Sequence, residues 1–293
     1  MTTWFKSRYF MDAPLASDKN KKLSLSFLRG NPHIYFMDTS KLNFDLLALQ
    51  VVALAEQAGE IICQIYGEGW EVFEKKDGSP VTRADHQSHF FLKEHLEKLT
   101  PQIPFISEED ESSWIIKSPL YWLVDPLDGT KGFIAKTGEF CINIALMKDN
   151  HPILGILHLP LTQETFYGYE QKAYHQSKGK TVDLHTRSFP PQGMVLLVGG
   201  YGKKYKAQED FFLKSYPIVK VERVRSAIKF ALIASGEADL YVRFEACSEW
   251  DTAAGQALVE AAGGIMTNLD GTSFLYGKPG LLNKEFAVFG RRP

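Results

Sequence analysis

The sequence predicts an α+β fold in which β-sheets lie between layers of helices. Two helical patterns come first, at 43–66 and 83–99, and β-rich segments follow between 103 and 169. Beyond residue 194, helical and extended patterns alternate. Helices on both sides of a strand-rich centre favour such layers over a barrel of eight equal βα units. The composition, 44% hydrophobic and 23% charged, is typical of a soluble globular protein.

The first helix is predicted at 43–66, where apolar residues recur at intervals of three and four. For residues 1–38 we predict a poorly ordered extension, with Met37 as an alternative initiation site. No apolar run reaches the roughly 20 residues that a membrane-spanning helix needs, which predicts no integral membrane segment. The apolar stripe consists of Phe44, Leu47, Val51, Leu54, Ala58, Ile61, Ile62 and Ile65.

The second helix is predicted at 83–99 and begins beside Asp85. His86 and His89 are three residues apart on this helix, but no third ligand accompanies them, so we expect a surface or packing role rather than a metal site. The predicted buried side consists of Phe90, Phe91, Leu92, Leu96 and Leu99.

The remaining elements are predicted from clusters of β-branched and aromatic residues between turn signals, and from two later helical patterns. We expect one domain at 39–293, made of two packed halves, 39–188 and 189–293, that meet at the loop near Pro190. The predicted strands are 103–106, 121–124, an antiparallel series at 140–147, 153–157 and 165–169, then 194–198 and 238–243; the predicted later helices are 226–235 and 252–262.

Charge and cysteine content narrow the function. The net charge is −2, from 33 basic and 35 acidic residues, so nothing favours binding to nucleic acid and a small-molecule substrate is expected. The three cysteines, Cys63, Cys141 and Cys247, are far apart and form no C-x-x-C motif. We therefore expect free thiols in a reducing compartment, the cytoplasm. Peripheral association with the inner face of the cell membrane and a homodimer both stay open.

Residues 122–130, with the sequence WLVDPLDGT, carry the strongest local signal. An apolar strand runs into Asp125 and Asp128, and the proline-fixed turn between them allows both carboxylates and the Leu127 carbonyl to face one site. Gly129 allows the chain to approach a ligand closely. Because Asp, Pro and Gly are also ordinary turn residues, this segment alone does not separate a cation site from a simple turn.

Two further acidic clusters lie at comparable places. Glu108 and Glu109 follow a predicted strand, and Glu249 and Asp251 precede a predicted helix. Carboxylates at three element ends predict one shared site. Oxygen ligands suit a hard cation such as Mg²⁺, and a pair of divalent ions would balance four carboxylates.

Three segments carry a resemblance to a known family: 108–109 (EE), 125–130 (DPLDGT) and 250–255 (WDTAAG). Through them, over about 42–290, the chain resembles the lithium-sensitive, magnesium-dependent phosphatases of the inositol monophosphatase superfamily. The resemblance implies a layered α-β-α-β-α sandwich of the inositol monophosphatase/fructose-1,6-bisphosphatase type, and two or three Mg²⁺ ions. The metal ligands that it implies are Glu108, Asp125, the Leu127 carbonyl, Asp128 and Asp251, with Glu109 as a neighbour.

The segment 79–85 (SPVTRAD) also fits this superfamily, in which an aspartate and a threonine orient the attacking water. The resemblance assigns these roles to Asp85 and Thr130 and adds Glu108 to the catalytic set. It implies in-line displacement by metal-activated water, without a phospho-enzyme. On the residues alone, Thr82 and Asp85 are better explained as a helix cap.

A finer resemblance connects the chain with the 3'(2'),5'-bisphosphate nucleotidases of the CysQ type. These enzymes remove the 3'-phosphate of adenosine 3',5'-bisphosphate and leave AMP, which recycles a by-product of sulfate assimilation. The resemblance implies a pocket for the second phosphate at Ser226, Lys229 and Arg243. The other implied substrate contacts are Asp128, Gly129, Thr130 and Asp251. The matching segments are 127–131, 138–140, 143–146, 152–155 and 226–229.

Two alternatives stay open. An inositol monophosphatase would use the same metals on a polyol phosphate, but a substrate with one phosphate gives no use for a second anion pocket at Lys229. A catalytically silent nucleotide-binding protein would have no need of Asp85 and Thr130. For the magnesium-dependent enzymes, the resemblance implies inhibition by lithium through competition for a metal position.

Overall fold

The computed structural model describes residues 42–69, 71–75, 78–188, 192–199 and 205–291. The extension predicted at 1–38 and the dividing loop predicted near Pro190 lie outside the described residues.

The described ranges contain α-helices and strands, which we number in chain order. The helices are α1 (Phe44–Glu68), α2 (Arg83–Leu99), α3 (Thr130–Ile134), α4 (Lys206–Ser215), α5 (Ile228–Ala234) and α6 (Ala253–Ala261). The strands are β1 (Val72–Glu74), β2 (Pro80–Thr82), β3 (Phe105–Ser107), β4 (Leu120–Asp128), β5 (Cys141–Lys148), β6 (His151–Leu159), β7 (Glu164–Tyr169), β8 (Lys172–Ser177), β9 (Lys180–Asp183), β10 (Met194–Val198), β11 (Ile218–Arg223), β12 (Leu240–Arg243), β13 (Cys247–Ser248), β14 (Ile265–Asn268), β15 (Leu282–Asn283) and β16 (Phe286–Phe289).

Five layers result, in the order α-β-α-β-α. Helices α1 and α2 cover one face of a seven-stranded sheet, β3 to β9, whose strands lie side by side in chain order. Helices α5 and α6 fill the space between this sheet and a five-stranded sheet of order β11-β10-β12-β16-β14. Helix α4 packs on the outer face of the second sheet through Phe212. The layered fold that the resemblance implies is confirmed.

Helix α1 agrees with its prediction and shows why its apolar stripe exists. Asn43 caps it by accepting a hydrogen bond from the Leu46 N–H, and its buried residues face α2 and the seven-stranded sheet. By length and composition α1 would also pass for a membrane span. In this fold its apolar face is the core-facing side of a packed helix.

Helix α2 has the predicted ends but a partly different buried face. Leu92 is fully buried, whereas Phe90 is 65% exposed. The buried positions follow a stripe that includes Asp85 and His89, and Phe90 falls outside it. His89 packs inside, with Nδ1 2.9 Å from Ser107 Oγ. The sequence pattern misplaced this stripe because polar residues share the buried side.

The central strands were predicted in part. The antiparallel series is confirmed by β5, β6 and β7, but β8 and β9 were not predicted. Both strands are largely polar, and β9 is an edge strand whose four residues are all exposed, so a hydrophobic pattern has little to mark them. Further along, β10 matches its prediction, whereas α4, β11, β14 and β16 were missed.

Helix α6 packs closely against the seven-stranded sheet. A Cβ at Gly155 on β6 would lie 2.1 Å from the carbonyl oxygen of Ala254, so only glycine leaves room for the helix here. The 3₁₀ helix Glu249–Asp251 directly precedes α6 and contacts β4 and β5. The close packing therefore positions Asp251 against the end of β4.

Candidate metal and phosphate site

The C-terminal end of β4 carries Asp125 and Asp128. The pairing of β4 with β5 changes register between these two residues, so that Pro126 and Leu127 form a bulge. The Asp125 carboxylate accepts a hydrogen bond of 3.0 Å from the Leu127 N–H, which stabilises the bulge. The predicted turn and the predicted carboxylate pair are thus one structure.

Three predicted metal ligands meet in one cluster. Glu108, Asp125 and Asp251 each offer a carboxylate oxygen, and these three oxygens lie within 4.8 Å of one another. They come from the loop after β3, from β4 and from the 3₁₀ helix before α6. The Ser248 N–H donates to Asp251 Oδ2 at 3.1 Å and holds that carboxylate in place. The three separate acidic segments of the sequence therefore converge, as expected.

Like charge dominates this cluster. Burial raises the pKa of Asp125 well above its usual range, and the nearby carboxylates of Glu108, Asp128 and Asp251 raise it further. Burial raises the pKa of Asp251 to about 7, and the Asp128 carboxylate is the next largest cause of this rise. Buried carboxylates this close stay ionised together only where a cation offsets their repulsion. An oxygen-only set of this kind fits a hard divalent ion such as Mg²⁺.

Asp128 connects the cluster with the turn at 224–229, which follows β11 and includes the first two residues of α5. Its Oδ2 accepts a hydrogen bond from the Ala227 N–H in that turn. Burial raises the pKa of Asp128, while the Lys229 ammonium and the Ala227 N–H act in the opposite direction. Cys141, opposite Asp128 on β5, places its Sγ 3.7 Å from the same oxygen.

Asp85 uses its two carboxylate oxygens for two different partners. Oδ2 accepts hydrogen bonds from the N–H of Thr82 at 2.7 Å and from its hydroxyl at 2.6 Å, which completes a capping box at the start of α2. Oδ1 accepts a hydrogen bond of 2.9 Å from the Thr130 hydroxyl. The helix cap and the aspartate–threonine pair, treated as competing explanations of the sequence, exist together.

Gly129 sets the direction of Thr130. It precedes the short helix α3 with a φ of 96°, in the left-handed region that favours glycine. A Cβ there would lie 2.6 Å from the Glu139 carbonyl oxygen. Because neither the dihedral nor the space suits another residue, we expect any side chain at 129 to displace the Thr130 hydroxyl.

Lys75 belongs to the site and was not found from the sequence. It follows β1, and its Nζ donates to Glu108 Oε1 at 2.6 Å and to Glu109 Oε1 at 2.7 Å. Burial opposes its charge, but the two carboxylates outweigh burial and raise the pKa of Lys75. Burial also raises the pKa of Glu109, to about 7. Nothing in the sequence 75–78 (KKDG) marks this lysine, because a basic residue in a turn is usually a solvated one.

The predicted second-phosphate residues lie around the turn at 224–229. The helix predicted from 226 begins at Ile228, and Ser226 has a φ of 56° outside it. Lys229 is 2% exposed, so it is not the surface lysine that an amphipathic helix would carry. Burial lowers the pKa of its ammonium to about 8. Arg243, at the end of β12, is partly buried and donates from Nε to the Glu245 carbonyl at 3.2 Å.

Comparisons with known proteins show the family to which the chain belongs. The model of the inositol monophosphatase family matches residues 45–288. The chain is 38% identical over 245 residues to the 3'(2'),5'-bisphosphate nucleotidase CysQ of Salmonella typhimurium, across 82% of this chain and 98% of that relative. The crystal structure of CysQ from Bacteroides thetaiotaomicron is 30% identical with a TM-score of 0.75, and the match covers 86% of this chain and 99% of the other.

A more distant structure shares the fold alone. It is that of an inositol monophosphatase/NADP phosphatase complexed with Mg²⁺ and phosphate, which is 17% identical with a TM-score of 0.70. This match covers 85% of the present chain and 92% of the other.

Proposed function

Since the chain belongs to the inositol monophosphatase family, we propose that it is a magnesium-dependent phosphatase that hydrolyses the 3'-phosphate of adenosine 3',5'-bisphosphate to AMP and phosphate. The observation that carries this proposal is the convergence of Glu108, Asp125 and Asp251 beside the Asp85–Thr130 pair. The relatives named as bisphosphate nucleotidases support the choice of substrate. The reaction would recycle a by-product of sulfate assimilation.

The metal would be held by the carboxylates of Glu108, Asp125, Asp128 and Asp251 and by the Leu127 carbonyl. We propose two or three Mg²⁺ ions, because the carboxylates alone bring four negative charges and substrate phosphate adds more. Bound there, Mg²⁺ would lower the pKa of a water molecule and stabilise charge on the phosphoryl and leaving oxygens. The donor set fits this role, since each ligand is an oxygen atom.

The residues that would orient the attacking water are Asp85 and Thr130. The Thr130 hydroxyl donates its hydrogen bond to Asp85 Oδ1, so the lone pairs of Thr130 Oγ1 can accept a hydrogen bond from water. Asp85 cannot rotate freely, because Thr82 holds its other oxygen. We assign Glu108 to this set as well, since its carboxylate clusters with Asp125 and Asp251 and its charge acts on Asp85.

The phosphate that reacts would contact the loop between β4 and α3. We propose that Gly129 and Thr130 offer backbone N–H groups to its oxygens, and that Asp128 and Asp251 contact the sugar side of the substrate. The second phosphate would lie near Ser226, Lys229 and Arg243. An inositol phosphate has no second anion to place there, which favours the nucleotide as substrate.

The substrate assignment is tested by the rate of phosphate release with Mg²⁺. We expect kcat/KM for adenosine 3',5'-bisphosphate to exceed that for inositol 1-phosphate and fructose 1,6-bisphosphate by more than about tenfold, roughly 1.4 kcal/mol of transition-state stabilisation. A preference for inositol 1-phosphate would make the protein an inositol monophosphatase. Release from none of them would favour the silent nucleotide-binding protein.

We propose that the reaction takes place in the cytoplasm. Cys63, Cys141 and Cys247 are free thiols, which suits a reducing compartment.

A further inference from the structure

The turn at 224–229 forms one wall of the proposed active site. The Ala227 N–H binds the Asp128 carboxylate, and Ser226 packs so close to Gly129 that a Cβ on the glycine would lie 3.3 Å from the serine Cβ. Both contacts join this turn to the loop that carries Asp128 and Thr130. Residue 225, the next one along the turn, therefore lies at the rim of the same site.

Lys229 directs two N–H donors of its ammonium to carbonyl groups of the turn. Nζ donates to the Val224 carbonyl at 3.0 Å and to the Ser226 carbonyl, and it lies 5.0 Å from the centre of the Tyr241 ring. These contacts close the turn around a buried charge. They stabilise the positive φ of Ser226 and the position of the Ala227 N–H. Lys229 thus acts on the site through the backbone.

Arg225 is the exposed cation of the same turn. Its side chain is 52% exposed, and its Nε lies 3.7 Å from Glu139 Oε2, on a side chain that is 2% exposed. Within the part of the chain that the structure describes, the guanidinium has no other hydrogen bond or ion pair. Because about half of the Arg225 side chain stays exposed beside this buried carboxylate, its guanidinium is accessible to a ligand. A guanidinium can bind a phosphate through two parallel N–H donors.

We propose that Arg225 is a specificity-determining residue that binds the phosphate that is not hydrolysed, at the turn that Lys229 closes. The inference rests on the proposed nucleotidase function and deepens it, because it adds an exposed cation that contacts the second phosphate directly. It predicts that Arg225 distinguishes a bisphosphate from a monophosphate and takes no part in the chemical step.

The test is the substitution Arg225→Gln, with kcat and KM measured in Mg²⁺ for adenosine 3',5'-bisphosphate and for adenosine 3'-monophosphate. We expect kcat/KM for the bisphosphate to fall about 10- to 100-fold, mainly through KM, as for the loss of a charged hydrogen-bonding partner. The kcat/KM for the monophosphate should change by less than about twofold, because this substrate has no second phosphate to bind the guanidinium. Arg225→Lys, which keeps the charge but loses the fork, should give an intermediate loss.

Arg223→Gln is the matched control. Arg223 ends β11 two residues earlier, but its guanidinium binds Glu209 at 2.7 Å and the Gly199 carbonyl at 3.2 Å, on the other side of the turn. Arg223→Gln should leave the ratio of kcat/KM for the two substrates unchanged. Thermal unfolding of both variants shows whether the turn stays folded.

Two results would overturn the inference. If the wild-type protein prefers the bisphosphate and Arg225→Gln keeps that preference, whether activity is retained or falls equally on both substrates, Arg225 does not bind the second phosphate. If the wild-type protein shows no preference for the bisphosphate, the proposed function itself fails, and the inference fails with it.

Discussion

The two sides of the proposed active site differ in how their charges are balanced. On the carboxylate side, formed by Glu108, Asp125 and Asp251, like charges lie within 4.8 Å of one another and burial raises the pKa of both aspartates. On the side of the turn at 224–229, Lys229 is satisfied by carbonyl oxygens of its own turn. The difference teaches that the carboxylate side needs a cation to offset its repulsion, whereas the hydrogen bonds of Lys229 form on the other side without a ligand.

The largest expected effect is from Asp125→Asn on the carboxylate side. The substitution removes the charge at the centre of the cluster, so phosphate release should fall by more than about 10³-fold, since the residue is proposed to hold the catalytic metal. Mg²⁺ titration calorimetry should show weaker binding. Asp149→Asn, in the exposed turn between β5 and β6, is the matched control and should keep full activity. An active Asp125→Asn enzyme with unchanged metal dependence would remove Asp125 from the ligand set.

A smaller effect is expected from Thr130→Val. This change keeps the side-chain shape and removes the hydroxyl that donates to Asp85, so the water loses its orienting partner. We expect kcat to fall about 10²- to 10⁴-fold, the usual contribution of a proton-handling group. Mg²⁺ affinity should stay close to that of the wild-type protein. Thr130→Ser should recover most of the rate, and equal losses in both variants would indicate a packing role instead.

In contrast to these losses, Lys75→Met should strengthen the binding of Mg²⁺. Lys75 pairs with Glu108, so a metal ion must compete with its ammonium for that carboxylate. Without it, Mg²⁺ should bind about fivefold more tightly, near the strength of one partly exposed ion pair. Lys93→Met, which breaks the ion pair with Asp110 outside the cluster, is the control. Weaker Mg²⁺ binding in Lys75→Met would mean that the lysine supports the metal site rather than competes with it.

The smallest effect concerns pH. In the metal-free protein Asp251 keeps its proton until about pH 7, while the unfolded chain releases it near the ordinary value of 3.8. The folded state therefore binds more protons between these values, and the stability of the metal-free protein falls as pH rises through this window. Mg²⁺ bound at the proposed site would take the place of the proton, so the stabilisation by Mg²⁺ should grow with pH.

Thermal unfolding in EDTA and in Mg²⁺ measures this dependence. We expect the rise in Tm on adding Mg²⁺ to be larger at pH 8 than at pH 5.5 by a few degrees, about 1 kcal/mol for a chain of this size. Asp251→Asn should flatten the dependence. The same Mg²⁺ effect at both pH values would contradict a cluster that exchanges protons for metal.

The carboxylate side could be predicted from the sequence because its residues lie in short, contiguous motifs. Each motif ends a strand or begins a helix, and the fold needed only to bring three such ends together. The same is true of the Asp85 and Thr130 pair, where the resemblance placed the partners. For Asp85 the sequence favoured the cap and the structure has both, because a carboxylate has two oxygens.

The basic residues could not be predicted to the same depth. Lys75 reaches Glu108 only because β1 and β2 form a hairpin beside the loop after β3, and a turn lysine carries no signal of that. The inward direction of Lys229 depends on the backbone of Ser226, whose positive φ a sequence pattern does not reveal. Phe90 was misplaced for a related reason, since polar site residues occupy the buried face of α2.

The central claim is tested most directly by identifying the product of adenosine 3',5'-bisphosphate with and without Mg²⁺, for example by ³¹P NMR. The account predicts AMP with its 5'-phosphate intact and one equivalent of inorganic phosphate, formed with Mg²⁺ and not in EDTA. Accumulation of adenosine 3'-monophosphate, or undiminished release of phosphate in EDTA, would contradict it.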